Sequence, residues 1–521
     1  MRTLHWAMTA LLIGILAAHW VRQPGYMDAE YYFSIAKEVT EGRGLAEPFL
    51  WNYLDDPQGL PHPSHLYWMP LPSLISALPM RLGGSTFRWA QTAFALMSAA
   101  LPLLTLYAGR LLQADRRHWS RGAILSLVPG FYLAYFVTTD SFAPYALFGG
   151  LALLVAAHAT EDPRTWRWLL AGALCGMGHL TRADGFLLLV PAAFAVYLSK
   201  HHRWRSVLFV VAGYAVVMVP WWARNLVVAG ALLSPGSLRT LWALRYDELF
   251  IYPASVLTPA RWWSSGLDVI LLARLQAAGT NLLSLAAVNG LIFLAPFMAM
   301  GAWKLRGRPL VRLAIAYLSV VFLSMSLAFP FAGPRGGFFH SSVALMPALW
   351  AMAPLGLEGA VAWASKKRRW QEERAFRVLF GGAVALAAVV TAIVFVIRVV
   401  GTGAGVWPWE RSHQEYQDAG EVLRALDRDP GLVAVNNPPG FYLATGLGSV
   451  VIPDGSPDIL KRVIMQYGVE WVVLEANHPA GLNELYLDPG RVSWLEPARS
   501  HVNANGETVW FLRWKPSAAT D

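Results

Sequence analysis

Gly25-Tyr26-Met27-Asp28-Ala29-Glu30-Tyr31-Tyr32 follows directly on an apolar run that extends from about residue 4 to Val21. Two carboxylates at the exit of an apolar helix sit where lipid headgroups meet water, and there they can act on a substrate whose tail lies in the bilayer. The polar stretch opens a loop, residues 22–68, that closes at a second apolar region. Whether residues 4–21 span a membrane decides the reading of everything after them.

Composition answers that first question. The chain has 521 residues, 55% of them hydrophobic and 14% charged, against about 25% charged in an average soluble protein. Mean hydropathy is +0.40. Apolar runs of roughly 17–25 residues, long enough to span a bilayer, fall at 4–21, 87–110, 121–138, 141–158, 167–181, 185–199, 206–224, 281–302, 311–330, 340–360 and 378–400. The expectation is therefore a mostly α, polytopic helix bundle of about eleven spans. The segment from Met69 to Leu82, with its prolines, is expected to be re-entrant or to lie along the interface. Many of the 24 Trp residues flank the runs, as in the aromatic belts of membrane interfaces. The N-terminal run is read as a retained signal anchor, because further spans follow it and no clear cleavage site does.

Charge fixes an orientation. The net charge of +9 resides mostly in short connectors, so it argues for membrane topology and not for nucleic acid. Arg110 to Arg121, Pro163 to Arg167, Lys200-His201-His202-Arg203-Trp204-Arg205, Lys304 to Arg312 and Lys366-Lys367-Arg368-Arg369 alternate as cytoplasmic loops must if the N-terminus is inside. The C-terminus is then outside. The outer side is expected to carry the first loop, a long loop at 229–280, the Phe331 to Phe339 loop and the chain after about Gly401. Residues 1–400 are read as the membrane domain and 401–521 as a small extracytoplasmic α/β domain. Its expected order is a helix at Tyr416–Leu426, a strand at Leu432–Val435, a strand at Ser449–Ile452, a helix at Asp458–Tyr467 and a strand at Trp471–Leu474. The single cysteine, Cys175, excludes a disulfide framework and a cysteine metal site.

The outer face collects the candidate chemistry. Apolar positions Tyr32, Ile35, Ala36 and Val39 predict an amphipathic helix beginning at Asp28 and lying flat on the membrane. Asp28 is open to two readings, a catalytic carboxylate or a cap of that helix. Asp140, in Thr138-Thr139-Asp140-Ser141, has the same two. Arg182 and Asp184 in Leu180-Thr181-Arg182-Ala183-Asp184-Gly185 form either a turn with an exposed local ion pair or part of a site. Arg182, Arg224 and Arg335 at outer ends of spans run against the positive-inside bias, and each is a candidate for bidentate phosphate contact or for snorkelling to headgroups. Pro334-Arg335-Gly336-Gly337-Phe338-Phe339-His340 is the best phosphate-binding stretch, with Arg335 and His340 as donors. His62 and His65, near Asp55 and Asp56, are weak metal candidates without ligand spacing. Walker, dinucleotide and nucleophile-elbow motifs are absent, so nucleotide-driven chemistry has no support.

Taken in order, Met27-Asp28-Ala29-Glu30-Tyr31-Tyr32, Gly42-Arg43-Gly44, Tyr67-Trp68-Met69-Pro70-Leu71-Pro72, Thr139-Asp140 and Leu180-Thr181-Arg182-Ala183-Asp184-Gly185 resemble the GT-C glycosyltransferases. This polyprenyl-phosphate-sugar-dependent group includes protein O-mannosyltransferases and aminoarabinose transferases. The resemblance covers roughly residues 1–360 in layout, and the C-terminal domain looks like the extracytoplasmic domains of prokaryotic members, with Asn437-Pro438-Pro439-Gly440 and Thr445-Gly446 as its most recognisable features. It implies that Asp28 is the catalytic carboxylate and that Asp140 matches a second acidic position. Ala29 separates Glu30 from the family's usual adjacent pair, which leaves its role open. The implied activity is inverting transfer of a sugar from a polyprenyl-phosphate donor to a hydroxyl of a glycan, lipid or protein acceptor, in the plasma or inner membrane, with Asp28 as general base. No organic cofactor is implied, and a divalent metal is left open. A transporter or flippase of lipid-linked saccharides is the competing reading; it needs ionisable groups near mid-membrane, whereas the span centres here are nearly uncharged.

Overall fold

The computed structural model describes residues 4–112, 115–199, 203–403 and 405–516. The chain divides into two compact units. A helical unit comprises Met1–Arg22, Trp68–Arg224 and Leu271–Gly403, and an α/β unit comprises Gln23–Tyr67, Asn225–Ile270 and Ala404–Asp521. Of the basic connectors, Lys200, His201 and His202 lie outside the described residues.

The helical unit is polytopic. Among the described residues, seven helices are long and apolar enough to cross a bilayer: Phe87–Leu112, Phe142–Glu161, Arg203–Ala229, Leu267–Asn289, Pro309–Ala328, Gly333–Arg368 and Glu372–Val400. Leu4–Trp20 and Ala183–Leu198 are apolar but shorter, and Thr165–Thr181 forms another helix. Of the eleven expected spans, six coincide with these long helices, 4–21, 167–181 and 185–199 form shorter ones, and two are broken. The run at 121–138 breaks at Pro129-Gly130 into Arg116–Ser126 and Tyr132–Tyr135. The run at 281–302 is interrupted at 290–294, where Leu291 and Ile292 take positive φ. Leu291 packs directly over Gly130, so the two breaks are one packing feature. Asn289 supports it by donating from Nδ2 to the Tyr132 and Ser342 hydroxyls at 3.0 Å. Helix breaks of this kind are tolerated in a bundle where neighbours satisfy the freed polar groups. The span was misplaced because its helix starts earlier, at Leu267, inside the expected loop 229–280. Phe331 to Phe339 is also no simple loop, since Gly333–Gly337 forms a wide helical turn leading into Phe338–Ser342.

The α/β unit is built on a six-stranded sheet, order β2-β5-β4-β6-β8-β7. Its strands are β2 (Phe49–Leu50), β4 (Leu432–Val435), β5 (Ser449–Val451), β6 (Val469–Leu474), β7 (Leu495–Val502) and β8 (Thr508–Trp514), while β1 (Ala46–Glu47) and β3 (His62–Pro63) form a separate pair. β2, β5, β4 and β6 run parallel, and their apolar, β-branched sequences suit strands covered on both faces. Alternation is visible along β4: Ala434 joins a core with Leu460, Val463 and Ile464, whereas Val433 and Val435 face Tyr416, Leu423 and Phe441. The β7 edge is mostly exposed and carries Glu496, Pro497 and Arg499, which blunts edge pairing. The sequence places the α/β domain at 401–521; the compact unit draws in residues 23–67 and 225–270 as well. β2 comes from the first loop and pairs Phe49 with Ser449 and Leu50 with Val450.

Candidate active site

In the helical unit, polar side chains gather where three apolar helices begin or turn. Asp140 precedes Phe142–Glu161, Arg182 and Asp184 lie where Thr165–Thr181 turns into Ala183–Leu198, and His340 and Ser341 sit in the first turns of Gly333–Arg368. Asp140 is 1% exposed. Its Oδ1 accepts the Ser141 backbone N–H at 2.5 Å and its Oδ2 lies 2.9 Å from His340 Nε2. His340 Nδ1 is 2.8 Å from the Gly336 carbonyl oxygen. A carbonyl only accepts, so Nδ1 carries a hydrogen and the ring is oriented. Phe142 stacks on that ring at 3.9 Å between centroids.

The Arg182–Asp184 pair, open to readings as a local ion pair in a turn or as part of a site, is mostly buried, with side chains 16% and 11% exposed at 2.9 Å. Asp184 Oδ2 accepts from the Ser341 hydroxyl. Tyr145 and Tyr317 share a hydroxyl contact at 2.7 Å, and Tyr317 donates to the Ser341 carbonyl at 3.1 Å. Arg182 Nη1 and Nη2 reach Ser141 Oγ and the Gly337 carbonyl at 3.5 Å, the outer limit of hydrogen bonding. Its Nε is committed to Asp184. Both oxygens of Asp140 and of Asp184 are engaged, which suits orienting roles better than proton abstraction. His340 is likewise turned to Asp140 and Gly336. Arg335 is exposed on the 333–337 turn. Arg224 lies in Arg203–Ala229 with its guanidinium 4.8 Å from the Trp221 ring.

In the α/β unit, Asp28 lies in the first turn of Met27–Thr40, half-buried. It is not the N-cap: that position is Tyr26, with no side-chain cap bond. A carboxylate in the first turn still gains from the helix dipole. The helix does not have the exposed polar face expected of one lying on a membrane. Glu30, Glu38 and the run Tyr31 to Ala36 are buried. Glu30 is 2% exposed and accepts from Asn437 Nδ2 at 2.7 Å. Burial pushes its carboxyl up to about 7, the Asn437 bond opposes this, and Asp28 adds to the rise.

His62 and His65 do not form a metal-ligand set. His62 Nδ1 lies 2.9 Å from Glu47 and Nε2 lies 3.1 Å from Asp55, so both ring nitrogens face carboxylates. Burial disfavours the charged ring, but the two carboxylates outweigh it and hold the pKa at about 9. His62 is thus a buried cation clipping β3 to β1 and to the turn at Leu54-Asp55. His65 is 1% exposed, with its backbone N–H bonded to the Tyr31 hydroxyl at 2.7 Å. Ser341, Tyr145, Tyr317 and Asn437 were missed as site residues. Asn437-Pro438-Pro439-Gly440 carried a legible helix-start signal, but a contact 407 residues away in sequence carries none.

The family described as dolichyl-phosphate-mannose-protein mannosyltransferase matches the chain over residues 62–223, less than a third of its length. The chain is similar in fold to ArnT from Cupriavidus metallidurans in the apo state, with a TM-score of 0.59, 14% identity and 98% of each chain covered. It is also similar to the archaeal oligosaccharyltransferase AglB from Archaeoglobus fulgidus, solved with an inhibitory peptide and a dolichol-phosphate. That likeness has a TM-score of 0.56 and 12% identity over 97% of this chain and 74% of the other. No curated protein gives a significant match. The chain therefore shares the fold of these two structures, as the resemblance implied for its layout.

Proposed function

We propose that this multi-pass membrane protein transfers a sugar from a polyprenyl-phosphate donor to a hydroxyl acceptor outside the cytoplasm, with inversion at the anomeric carbon. The observation that carries the reading is the buried cluster of Asp140, His340, Arg182 and Asp184 at the ends of apolar helices, in a fold shared with a dolichol-phosphate complex. The acceptor oxygen attacks the anomeric carbon as Asp28 takes its proton. The bond from that carbon to the phosphate oxygen breaks, and its electron pair leaves with the polyprenyl phosphate. Arg182, with its Nε held by Asp184, presents its forked end to the charge growing on the phosphate. The alternation of basic connectors supports an inner-membrane protein with its α/β unit outside.

Asp140 and His340 are also of the residue types that hold a divalent cation, and the bond from His340 Nδ1 to a carbonyl is the usual orienting contact of a ligating histidine. An ion held there would supply positive charge to the departing phosphate.

Mass spectrometry of glycans and glycolipids from cells with and without the protein tests the reading: one glycosylated product should vanish in its absence. Unchanged profiles contradict it. Within the mechanism, Arg182→Ala should lower kcat by about a hundredfold, and Arg182→Lys, which keeps Asp184 paired, should lose less. Steady-state kinetics on the purified variants provides the check.

A further inference from the structure

We infer that residues 405–516 serve to position the helix that bears Asp28, through Trp409, Asn437 and Tyr442. The functional part of this inference rests on the reading of Asp28 above; the structural part does not.

Three contacts within the α/β unit grip Met27–Thr40 at its entry, in its first turn and near its end. At the entry, Trp409 Nε1 donates to the Gln23 carbonyl at 3.0 Å and its ring meets Tyr26 edge-on at 5.7 Å. Gly25 adopts φ +94°, and a Cβ there would lie 2.2 Å from Trp409 Nε1, so only glycine lets the indole lie this close. In the first turn, Asn437 donates to buried Glu30. Near the end, the Tyr442 hydroxyl donates to Glu38 Oε1 at 2.8 Å, and Arg43 holds the same carboxylate through Nε and Nη2.

Asn437 is suited to this task by polarity. It caps Pro438–Thr445, where its Oδ1 accepts the Gly440 N–H at 3.2 Å. A backbone N–H only donates, which fixes Oδ1 toward Gly440 and Nδ2 toward Glu30. A Cβ on Gly440 would lie 2.7 Å from both Asn437 Nδ2 and Glu30 Oε2, so the helix start is stripped to let the carboxylate in. Asn437 also follows β4 at the carboxyl ends of the parallel strands, the end at which open α/β sheets ordinarily bind ligands. Here that end receives the Asp28 helix. β2, from the same loop, extends the sheet. The sheet and the first loop are thus one construction, and Asn437 and Tyr442 are positioning residues.

Asn437→Asp tests this, because it retains the capping oxygen and the shape but turns an oxygen toward Glu30. In full-length protein the variant should lose on the order of tenfold or more in kcat, the effect of breaking a buried hydrogen bond to a charged group, with the donor KM unchanged. Amide exchange across residues 27–40 should quicken. Glu30→Gln combined with Asn437→Asp reverses the direction of the bond and should return both readouts to the level of Glu30→Gln alone. Wild-type kcat and exchange in Asn437→Asp, or a double variant no better than Asn437→Asp, would overturn the inference. If Asp28→Asn transfers sugar normally while exchange follows the pattern above, the catalytic reading fails and the positioning role stands.

Discussion

Asp28→Asn should reduce sugar transfer by about 10²–10⁴-fold, the range lost with a general base, while leaving the protein folded. Asparagine is nearly isosteric, forgoes only the carboxylate's modest helix-dipole gain, and leaves the Glu30–Asn437 and Glu38–Tyr442 bonds in place. It cannot accept the acceptor's proton. Donor KM should stay near its wild-type value, because the mechanism gives phosphate recognition to Arg182 and not to Asp28. A drop in kcat with unchanged KM, and an unchanged exchange pattern across residues 27–40, would separate loss of a base from loss of structure. Transfer at the normal rate would remove Asp28 from the chemistry.

The second large effect concerns stability. His62 is held charged between Glu47 and Asp55, with a pKa raised from 6.5 to about 9. A raised histidine pKa contributes stability that is fully present below about 6.5 and is lost as pH rises through 9. A shift of this size corresponds to on the order of 3 kcal/mol. Glu30 and Glu475 are raised by burial to about 7, so the folded state binds their protons more tightly and stability also falls as pH rises from about 4.5 to 7. Hydrogen exchange of residues 46–63 in the full-length protein should therefore quicken between pH 7 and 9.5, corrected for intrinsic rates. His62→Gln should be less protected at pH 7 and should lose that dependence. A flat profile in the wild type would mean that the triad contributes nothing.

The bundle was legible because spans are written in composition. Residues 142–161 and 372–400 needed only length and apolarity. The spans that went astray, 121–138 and 281–302, failed where Pro129-Gly130 and residues 290–294 break helices against each other, and such pairing leaves no periodic trace. Within the α/β unit, β4, β5, β6 and the helices between or beside them were readable from alternation and turn residues. β2 was not, since two residues within the first loop become a strand only when β5 lies alongside.

Asp140, Arg182, Asp184 and His340 were readable as candidates because charge at helix ends is costly and conspicuous. Their grouping was not. The spacing of Tyr32, Ile35, Ala36 and Val39 predicts an amphipathic helix lying on a membrane, which would leave Glu30 and Glu38 facing water. Both are instead buried against hydrogen-bond donors that lie more than 400 residues away in sequence.

The central claim is that the protein cleaves a polyprenyl-phosphate sugar. The direct measurement uses purified protein in proteoliposomes with a polyprenyl-phosphate donor labelled in the sugar, plus acceptor glycolipids extracted from the host membrane. Free polyprenyl phosphate should be released in step with labelled, anomerically inverted product, and both should be lost in Asp28→Asn. Labelled donor that crosses the bilayer intact, with no polyprenyl phosphate released, would contradict the claim and identify a transporter.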